Sequence, residues 1–342
     1  MYRLFFFLLA SLLVSPCAPS LAAANPPAPL EAGKTFPAKD TLNCSPEKNP
    51  DAAACLEKLR WKTGDFSVTC QTPKPDRGDW LIRFPSPAPL GDPLNDLVAM
   101  EWYQARGADG QPVKAPAVVV VHESGRGMVA GRSIARGLCN NGFHAFLIHL
   151  PGYGERTSTI TGDMTKAFPA LRQAVDDVRR ARDAVSVLPL VDASAGISVQ
   201  GTSMGGFVVA SVSGLDRGFD RYFILLAGGN IADVILNGKA DAAKMHARLE
   251  EAGVTDEQLR QVTSVIEPLR LAHRVDPART WLFSGKFDEV VPPASSAAFA
   301  KAAGLSLEHH YILPVGHYSA ALLLPILLPR MSELLTTKIA AK

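Results

Sequence analysis

Short apolar runs alternate along most of the chain with longer stretches in which apolar residues recur at helical spacing. The run 117–121 is continuously apolar, as expected of a strand that helices bury on both faces, and residues 143–149 are predicted as the following strand. Residues 167–188 place charges between apolar positions and predict a long amphipathic helix. Further strands are predicted over 66–69, 80–84, 98–103, 197–200, 222–226, 280–284 and 307–313, and further helices within 44–60 and over 129–140 and 318–337. The alternation predicts an α/β fold.

The order of these elements predicts a three-layer α/β sandwich around a mostly parallel mixed sheet, with its ligand site at the carboxyl ends of the strands. We assign residues 96–342 to this domain and residues 25–95 to an N-terminal linker and extension. The Pro- and Ala-rich start of that extension, 25–37, is expected to be a loose linker. Residues 231–274 are largely helical and longer than the usual connection of roughly 2 to 6 residues, which suits a small helical cap over the site.

The N-terminus has the pattern of a secretory signal peptide over residues 1–24. Arg3 precedes an apolar stretch, 4–14, and small residues lead to a cleavage point near Ala23 or Asn25. The alternative is a membrane anchor, but an apolar stretch that spans a bilayer needs roughly 20 residues. The sequence therefore predicts a secreted or periplasmic protein.

Four cysteines follow the predicted signal peptide: Cys44, Cys55, Cys70 and Cys139. Export would place them in an oxidising compartment, where disulfides persist. Because the first three crowd the N-terminal segment and Cys139 falls in a predicted helix, we predict one disulfide among Cys44, Cys55 and Cys70. The alternative is reduced, buried thiols.

Composition narrows the range of partners. The chain has 342 residues, of which 47% are hydrophobic, enough for one large domain with a substantial core. A net charge of +2 without a long basic run argues against a nucleic-acid partner. The apolar run 320–328 is short and contains Pro325, so we interpret it as a buried helix face and expect no stable membrane insertion. No Cys-x-x-Cys or His-rich spacing indicates a metal, and no cofactor is implied.

The strongest chemical signal is Gly-Thr-Ser-Met-Gly-Gly over residues 201–206, which follows a β-branched run and precedes small apolar residues. This is the Gly-x-Ser-x-Gly pattern of a nucleophile elbow. The glycines at 201 and 205 would allow a strand to turn at once into a helix that packs close to it. Ser203 is then expected at the tip of the turn, in strained backbone geometry.

Serine is a weak nucleophile and needs a base, which in turn needs an orienting carboxylate. His317 follows the last predicted strand and Asp288 follows the strand 280–284, which gives the chain order Ser, Asp, His. We therefore predict Ser203, His317 and Asp288 as the catalytic residues. The alternatives are Glu289 or Asp233 as the acid and His309 or His310 as the base.

An oxyanion hole requires two backbone N–H donors near Ser203. We predict the N–H of Met204, at the start of the helix after the elbow, and that of Ser124, in the loop after the strand 117–121. His122 is expected to pack beneath that loop. Glu123 has two interpretations: a salt bridge with an arginine such as Arg126 or Arg156, which we favour, or a charge close enough to tune the site.

From about residue 98 to the C-terminus the chain resembles the α/β-hydrolase superfamily, through its elbow, its acid after a late strand and its histidine after the last strand. The motifs at 121–125, 142–144 and 151–154 are similar to those of the dienelactone hydrolase branch and related serine esterases. In that branch a glutamate stands beside the oxyanion loop, which corresponds here to Glu123. The nucleophile differs, since Ser203 stands where dienelactone hydrolases have cysteine, and this favours a general ester.

The sequence thus predicts an exported serine hydrolase that cleaves a carboxylic ester, in a small molecule or a polymer, through an acyl-enzyme. Two alternatives stay open: a peptidase or acyltransferase on the same scaffold, and a catalytically silent domain that binds a ligand or partner.

Overall fold

The computed structural model describes residues 30–158 and 166–337. The predicted signal peptide, residues 1–24, lies outside the described residues.

A single mixed sheet forms the middle layer. In space its strands follow the order β1-β2-β3-β4-β6-β5-β7-β8-β9-β10. In this spatial order the pairs β1–β2, β2–β3, β3–β4 and β4–β6 are antiparallel. Every remaining pair, from β6–β5 to β9–β10, is parallel. The strands are β1 (Thr35–Lys39), β2 (Asp65–Gln71), β3 (Trp80–Pro85), β4 (Leu97–Tyr103), β5 (Ala117–Val121), β6 (His144–Ile148), β7 (Ile197–Thr202), β8 (Tyr222–Leu225), β9 (Thr280–Gly285) and β10 (His310–Leu313). The predicted three-layer fold with a mostly parallel mixed sheet is confirmed.

Helices cover both faces of the sheet. They are α1 (Pro50–Lys58), α2 (Val129–Asn140), α3 (Ala167–Ser186), α4 (Met204–Ser213), α5 (Ile231–Asn237), α6 (Asp241–Glu251), α7 (Asp256–Thr263), α8 (Pro293–Ala302) and α9 (Leu324–Thr336). Buried residues of α1, α3, α4 and α8 share one apolar cluster, and those of α2 and α9 share another. Side chains of β5 alternate between the two clusters, with Val119 and Val121 in the first and Val118 and Val120 in the second.

The N-terminal extension begins with a strand that the sequence did not reveal. Residues 25–37 were expected to be a linker, yet β1 starts at Thr35 and pairs with β2, with Phe36 opposite Val68. Pro37 is tolerated because β1 is an edge strand with a partner on one side only. The missing N–H of the proline therefore does not interrupt hydrogen bonding to a second strand. The strands of the extension, β1 to β3, belong to the same continuous sheet as the strands after residue 95. The extension and the rest of the chain therefore share one hydrophobic core.

The apolar run 320–328 is only half buried, which corrects its interpretation as a buried helix face. Ala320 and Leu327 are buried, whereas Leu322 is 80% exposed and Ile326 is 69% exposed. The reason is that this stretch is apolar on both sides, and only one side packs on the protein. The helical stretch Ser319–Thr336 is long and apolar enough to cross a membrane, and 28% of it is buried.

The predicted disulfide is absent, since Cys44, Cys55, Cys70 and Cys139 are all free. Cys55 and Cys70 act instead as small apolar side chains in the larger cluster, and the Cys55 thiol donates to the carbonyl of Val265 at 3.3 Å. Burial raises the pKa of both thiols to about 11, so they stay protonated.

A buried ion pair and two hydrogen bonds tie the N-terminal segment to α3. Arg180 donates to the two carboxylate oxygens of Asp40 at 2.8 and 2.5 Å, and both residues are buried. Thr41 donates its N–H and its hydroxyl to Asp183 at 2.8 and 2.6 Å. The chain before the main domain therefore supplies the counter-charge of a buried arginine.

Replacing Asp40 tests this role. Asp40→Ala leaves Arg180 buried without its carboxylate, so we expect the free energy of unfolding to fall by about 3 kcal/mol or more in urea titrations. Glu333→Ala removes an exposed pair with Arg330 and should cost less than about 1 kcal/mol. Equal losses in the two variants would contradict a structural role for the buried pair.

Candidate active site

Ser203 lies at a sharp turn between β7, which ends at Thr202, and α4, which begins at Met204. Its backbone has φ 53° and ψ −116°, a conformation that costs free energy in a non-glycine residue. The Ser203 N–H donates to the carbonyl of Leu225 at 2.8 Å and fixes the turn against β8. The predicted strand-turn-helix with a strained serine is confirmed.

Two glycines make this turn sterically possible. A Cβ atom on Gly201 would overlap the carbonyl of Gly205, and one on Gly205 would overlap the carbonyl of Val121 in β5. Backbone cannot move aside as a flexible side chain can. The first turn of α4 therefore approaches β5 and β7 only because both positions lack a side chain.

The structure brings Ser203, His317 and Asp288 together. The Ser203 hydroxyl lies 3.0 Å from Nε2 of His317, and Nδ1 of His317 lies 2.7 Å from a carboxylate oxygen of Asp288. With Nδ1–H donating to Asp288, Nε2 is the atom left to accept the serine proton. Ser203 is half-buried, so its hydroxyl is not sealed inside the core.

Asp288 is buried and rigidly held. Its other carboxylate oxygen accepts the N–H groups of Val290 and Val291, each at 2.9 Å. These bonds fix the carboxylate that faces His317. The alternative acids and bases are occupied elsewhere: Glu289 bonds Lys239, Asp233 bonds Arg260, His309 contacts the Thr280 carbonyl and His310 contacts the Ser284 hydroxyl.

The loop after β5 forms one wall of the site. Ser124 lines the same cavity as Ser203, and Met204 supplies the first backbone N–H of α4. Such an N–H has no partner within its own helix, which leaves it available to a ligand. Tyr153 donates its hydroxyl to the Ser124 carbonyl at 2.8 Å and so helps to hold the loop.

His122 packs beneath this loop and is fully buried. Its Nδ1 donates to the carbonyl of Glu123 at 2.5 Å, and its Nε2 accepts the N–H of Leu150 at 3.1 Å. Burial lowers the pKa of His122 to about 3, so the ring stays neutral and both bonds persist at neutral pH. Its role is structural, as the sequence suggested.

Glu123 caps a helix, and the favoured salt bridge is wrong. Its carboxylate accepts the N–H groups of Ala130 and Gly131, at 3.1 and 3.0 Å, in the first turn of α2. The residue before that helix, Met128, is left-handed and offers no side-chain cap, so Glu123 supplies the missing acceptor. Arg156 pairs instead with Asp177 at 2.7 Å.

A cavity of about 270 Å³ opens beside Ser203. The start of α6, in the segment predicted as a cap, reaches this cavity at Asp241, and a hydrogen bond from Tyr318 lowers the pKa of the Asp241 carboxyl. Sequence reasoning assigned no role to Tyr153, Asp241 or Tyr318. The Pro-Gly-Tyr-Gly motif at 151–154 and the position of Tyr318 next to His317 were the available signals.

Within the two described ranges, no group of three or more His, Cys, Asp or Glu side chains is arranged to hold a metal ion.

Comparisons with known proteins agree with this architecture. The model of the prolyl oligopeptidase family matches residues 132–313, which is over half of the chain. A search of curated proteins found no match. Both the family match and the folds of the structures below support the predicted α/β-hydrolase superfamily.

Three solved structures illustrate the likeness. An acetyl xylan esterase from Paenibacillus sp. R4 has a TM-score of 0.57 at 17% identity, covering 86% of this chain and 95% of that one. The α/β hydrolase GrgF from Penicillium sp. sh18 has a TM-score of 0.55 at 16% identity, covering 76% and 99%. An acylaminoacyl peptidase from Pyrococcus horikoshii has a TM-score of 0.54 at 12% identity, covering 72% and 41%. At these identities the likeness is one of fold.

Two substitutions separate the observed cap from the salt bridge first expected. Glu123→Ala removes the acceptor of two helix N–H groups, and we expect the free energy of unfolding to fall by about 1 to 2 kcal/mol. Arg126→Ala should change it by less than about 0.5 kcal/mol, because the cap does not use that side chain. Urea titrations of both variants decide the point, and equal losses would restore the salt bridge.

Proposed function

The chain belongs to the prolyl oligopeptidase family and is a serine hydrolase, and we propose that it cleaves carboxylic esters through an acyl-enzyme formed on Ser203. The observation that carries this proposal is the hydrogen-bonded series from the Ser203 hydroxyl through His317 to Asp288, at 3.0 and 2.7 Å. A hydroxyl, an imidazole and a carboxylate in this order form the arrangement that activates serine for attack on a carbonyl.

In the first step the Ser203 oxygen forms a bond to the ester carbonyl carbon while its proton passes to Nε2 of His317. The carbonyl electron pair moves onto oxygen, and the proposed acceptors of that oxyanion are the N–H groups of Ser124 and Met204. Each such donor contributes about 2.7 to 4 kcal/mol to transition-state stability. Asp288 holds the imidazolium through Nδ1, and Val290 and Val291 hold Asp288.

In the second step the carbon–oxygen bond to the alcohol breaks, and His317 returns its proton to the departing oxygen. Water then repeats the sequence against the acyl-enzyme. His317 takes the water proton, hydroxide adds to the carbonyl, and the proton passes back to Ser203 as the acid leaves.

The polarity of the cavity supports an ester more than a peptide. A peptide places amide N–H groups on both sides of the cleaved bond, and a buried N–H without an acceptor costs about 1 to 3 kcal/mol. Most of the cavity wall is apolar and includes Leu225, Phe283 and Leu327, whose side chains offer no acceptor to such an N–H. An ester brings no N–H donor.

We also propose that the protein is secreted or exported to the periplasm, because residues 1–24 have the pattern of a signal peptide.

Replacing the nucleophile tests the chemistry. Ser203→Ala should lower kcat for p-nitrophenyl acetate about a thousandfold or more, with unchanged circular dichroism and thermal midpoint. A fluorophosphonate should label the wild-type protein and spare the variant. Unlabelled, folded wild-type protein would favour the silent binding domain, and faster cleavage of p-nitroanilides than of p-nitrophenyl esters would favour a peptidase.

Adjacent carboxylates provide a matched pair for the acid. Asp288→Asn should lower kcat for the same ester about a thousandfold, because the amide cannot hold the imidazolium. Glu289→Gln should keep kcat within about twofold, since that exposed side chain bonds Lys239 and not His317. Similar losses in both variants would contradict the assignment of Asp288.

A further inference from the structure

The cavity beside Ser203 continues inward between the sheet and the helices of one face. Its inner walls are Leu225, Phe283 and Leu313 from β8, β9 and β10, Ile134 from α2, and Leu324 and Leu327 from α9. Ile134, Leu225, Phe283 and Leu327 belong to the buried apolar cluster on that face. The chemistry of the inner cavity is therefore that of the hydrophobic core.

The charged and catalytic side chains of the cavity wall already have hydrogen-bond partners. Glu123 binds the first turn of α2, Asp241 binds Tyr318, and Ser203 and His317 bind each other. A polar substrate group pushed inward would lose its water without gaining a hydrogen bond, which is unfavourable. An aliphatic group would gain contact with apolar walls on all sides.

We propose that this cavity binds the acyl chain of the substrate, and that the enzyme prefers esters of aliphatic acids of about six to ten carbons. The inference rests on the proposed ester hydrolysis and names its substrate class. A cavity of about 150 Å³ accepts the six carbons of benzene, and this one measures about 270 Å³. An acetyl group would leave most of it empty.

The order in which bonds break during hydrolysis indicates that the cavity holds the acyl part of the ester and not its alcohol part. The acyl group stays bonded to Ser203 while the alcohol leaves and water enters. The part of the cavity lined by the buried Ile134 and Phe283 can therefore keep the acyl chain through both steps. The alcohol needs a route to solvent, which the exposed Tyr318 borders.

A series of p-nitrophenyl esters, from acetate to decanoate and below their aggregation limits, tests the preference. Burial of each added methylene is worth roughly a fourfold gain. Octanoate has about six more methylenes than acetate, so kcat/KM should rise by roughly three orders of magnitude from acetate to octanoate. Octyl acetate carries the chain on the alcohol, and its kcat/KM should show no comparable gain over that of ethyl acetate. A flat series, an optimum at acetate, or an equal gain for octyl acetate would overturn the inference.

Variants of the wall residues at the start of α9, and in the turn just before it, locate the chain. Ala320 is buried and lines the cavity, so Ala320→Phe should lower kcat/KM for the octanoate ester about tenfold or more and keep that for the acetate ester within about threefold. Leu324→Trp repeats the test from a half-buried wall position. Leu322→Phe is the control, since Leu322 is 80% exposed and lies outside the cavity wall, and it should change neither value.

The outcomes separate this inference from the proposed function. Retained activity on the acetate ester reports that each variant folds and that the catalytic residues work. If neither wall variant discriminates between octanoate and acetate, the chain does not lie in this cavity and the inference fails, while ester hydrolysis stands. If the wild-type protein cleaves no ester at all, the proposed function fails first.

Discussion

The position of Ser203 depends on the close packing of four backbone segments, those of β5, β7, β8 and α4, without side chains between them. Its φ of 53° is a conformation that costs on the order of 1–3 kcal/mol, and it persists only when its surroundings enforce it. Gly201 and Gly205 let α4 press against β5 and β7, and the carbonyl of Leu225 holds the Ser203 N–H. The core of the sheet therefore maintains the strain and holds the hydroxyl at the strand end.

The partners of Ser203 follow from the same sheet. β9 and β10 are parallel neighbours, with Gly285 opposite Leu313, so the loops after them leave the sheet at the same edge. One loop carries Asp288 and the other carries His317. The two meet through a 2.7 Å hydrogen bond although 29 positions separate them in the chain. Because the strand ends align the loops, a short reach is enough to complete the series to Ser203.

Features with a local sequence signature were predictable. The Gly-x-Ser-x-Gly turn, the residues that follow β9 and β10, and most strands could be predicted because their causes lie within a few neighbouring residues. Four features could not be predicted. β1 needs β2 as its partner. The capping role of Glu123 depends on the left-handed backbone conformation of Met128, which residue propensities do not predict. The free state of Cys55 and Cys70 depends on the side chains that surround each thiol. Tyr153 was likewise missed, since its contact with Ser124 spans two loops.

The union of the N-terminal strands with α3 has a consequence for the time course of folding. Asp40 and Arg180 are 140 positions apart, so the contact closes a very long loop and cannot form before α3 has left the ribosome. The first strands to be synthesised must therefore wait for the middle of the chain before they reach their final surroundings. Until then their ladder edges are open, and chaperones that shield extended segments would have their longest opportunity at this end of the protein.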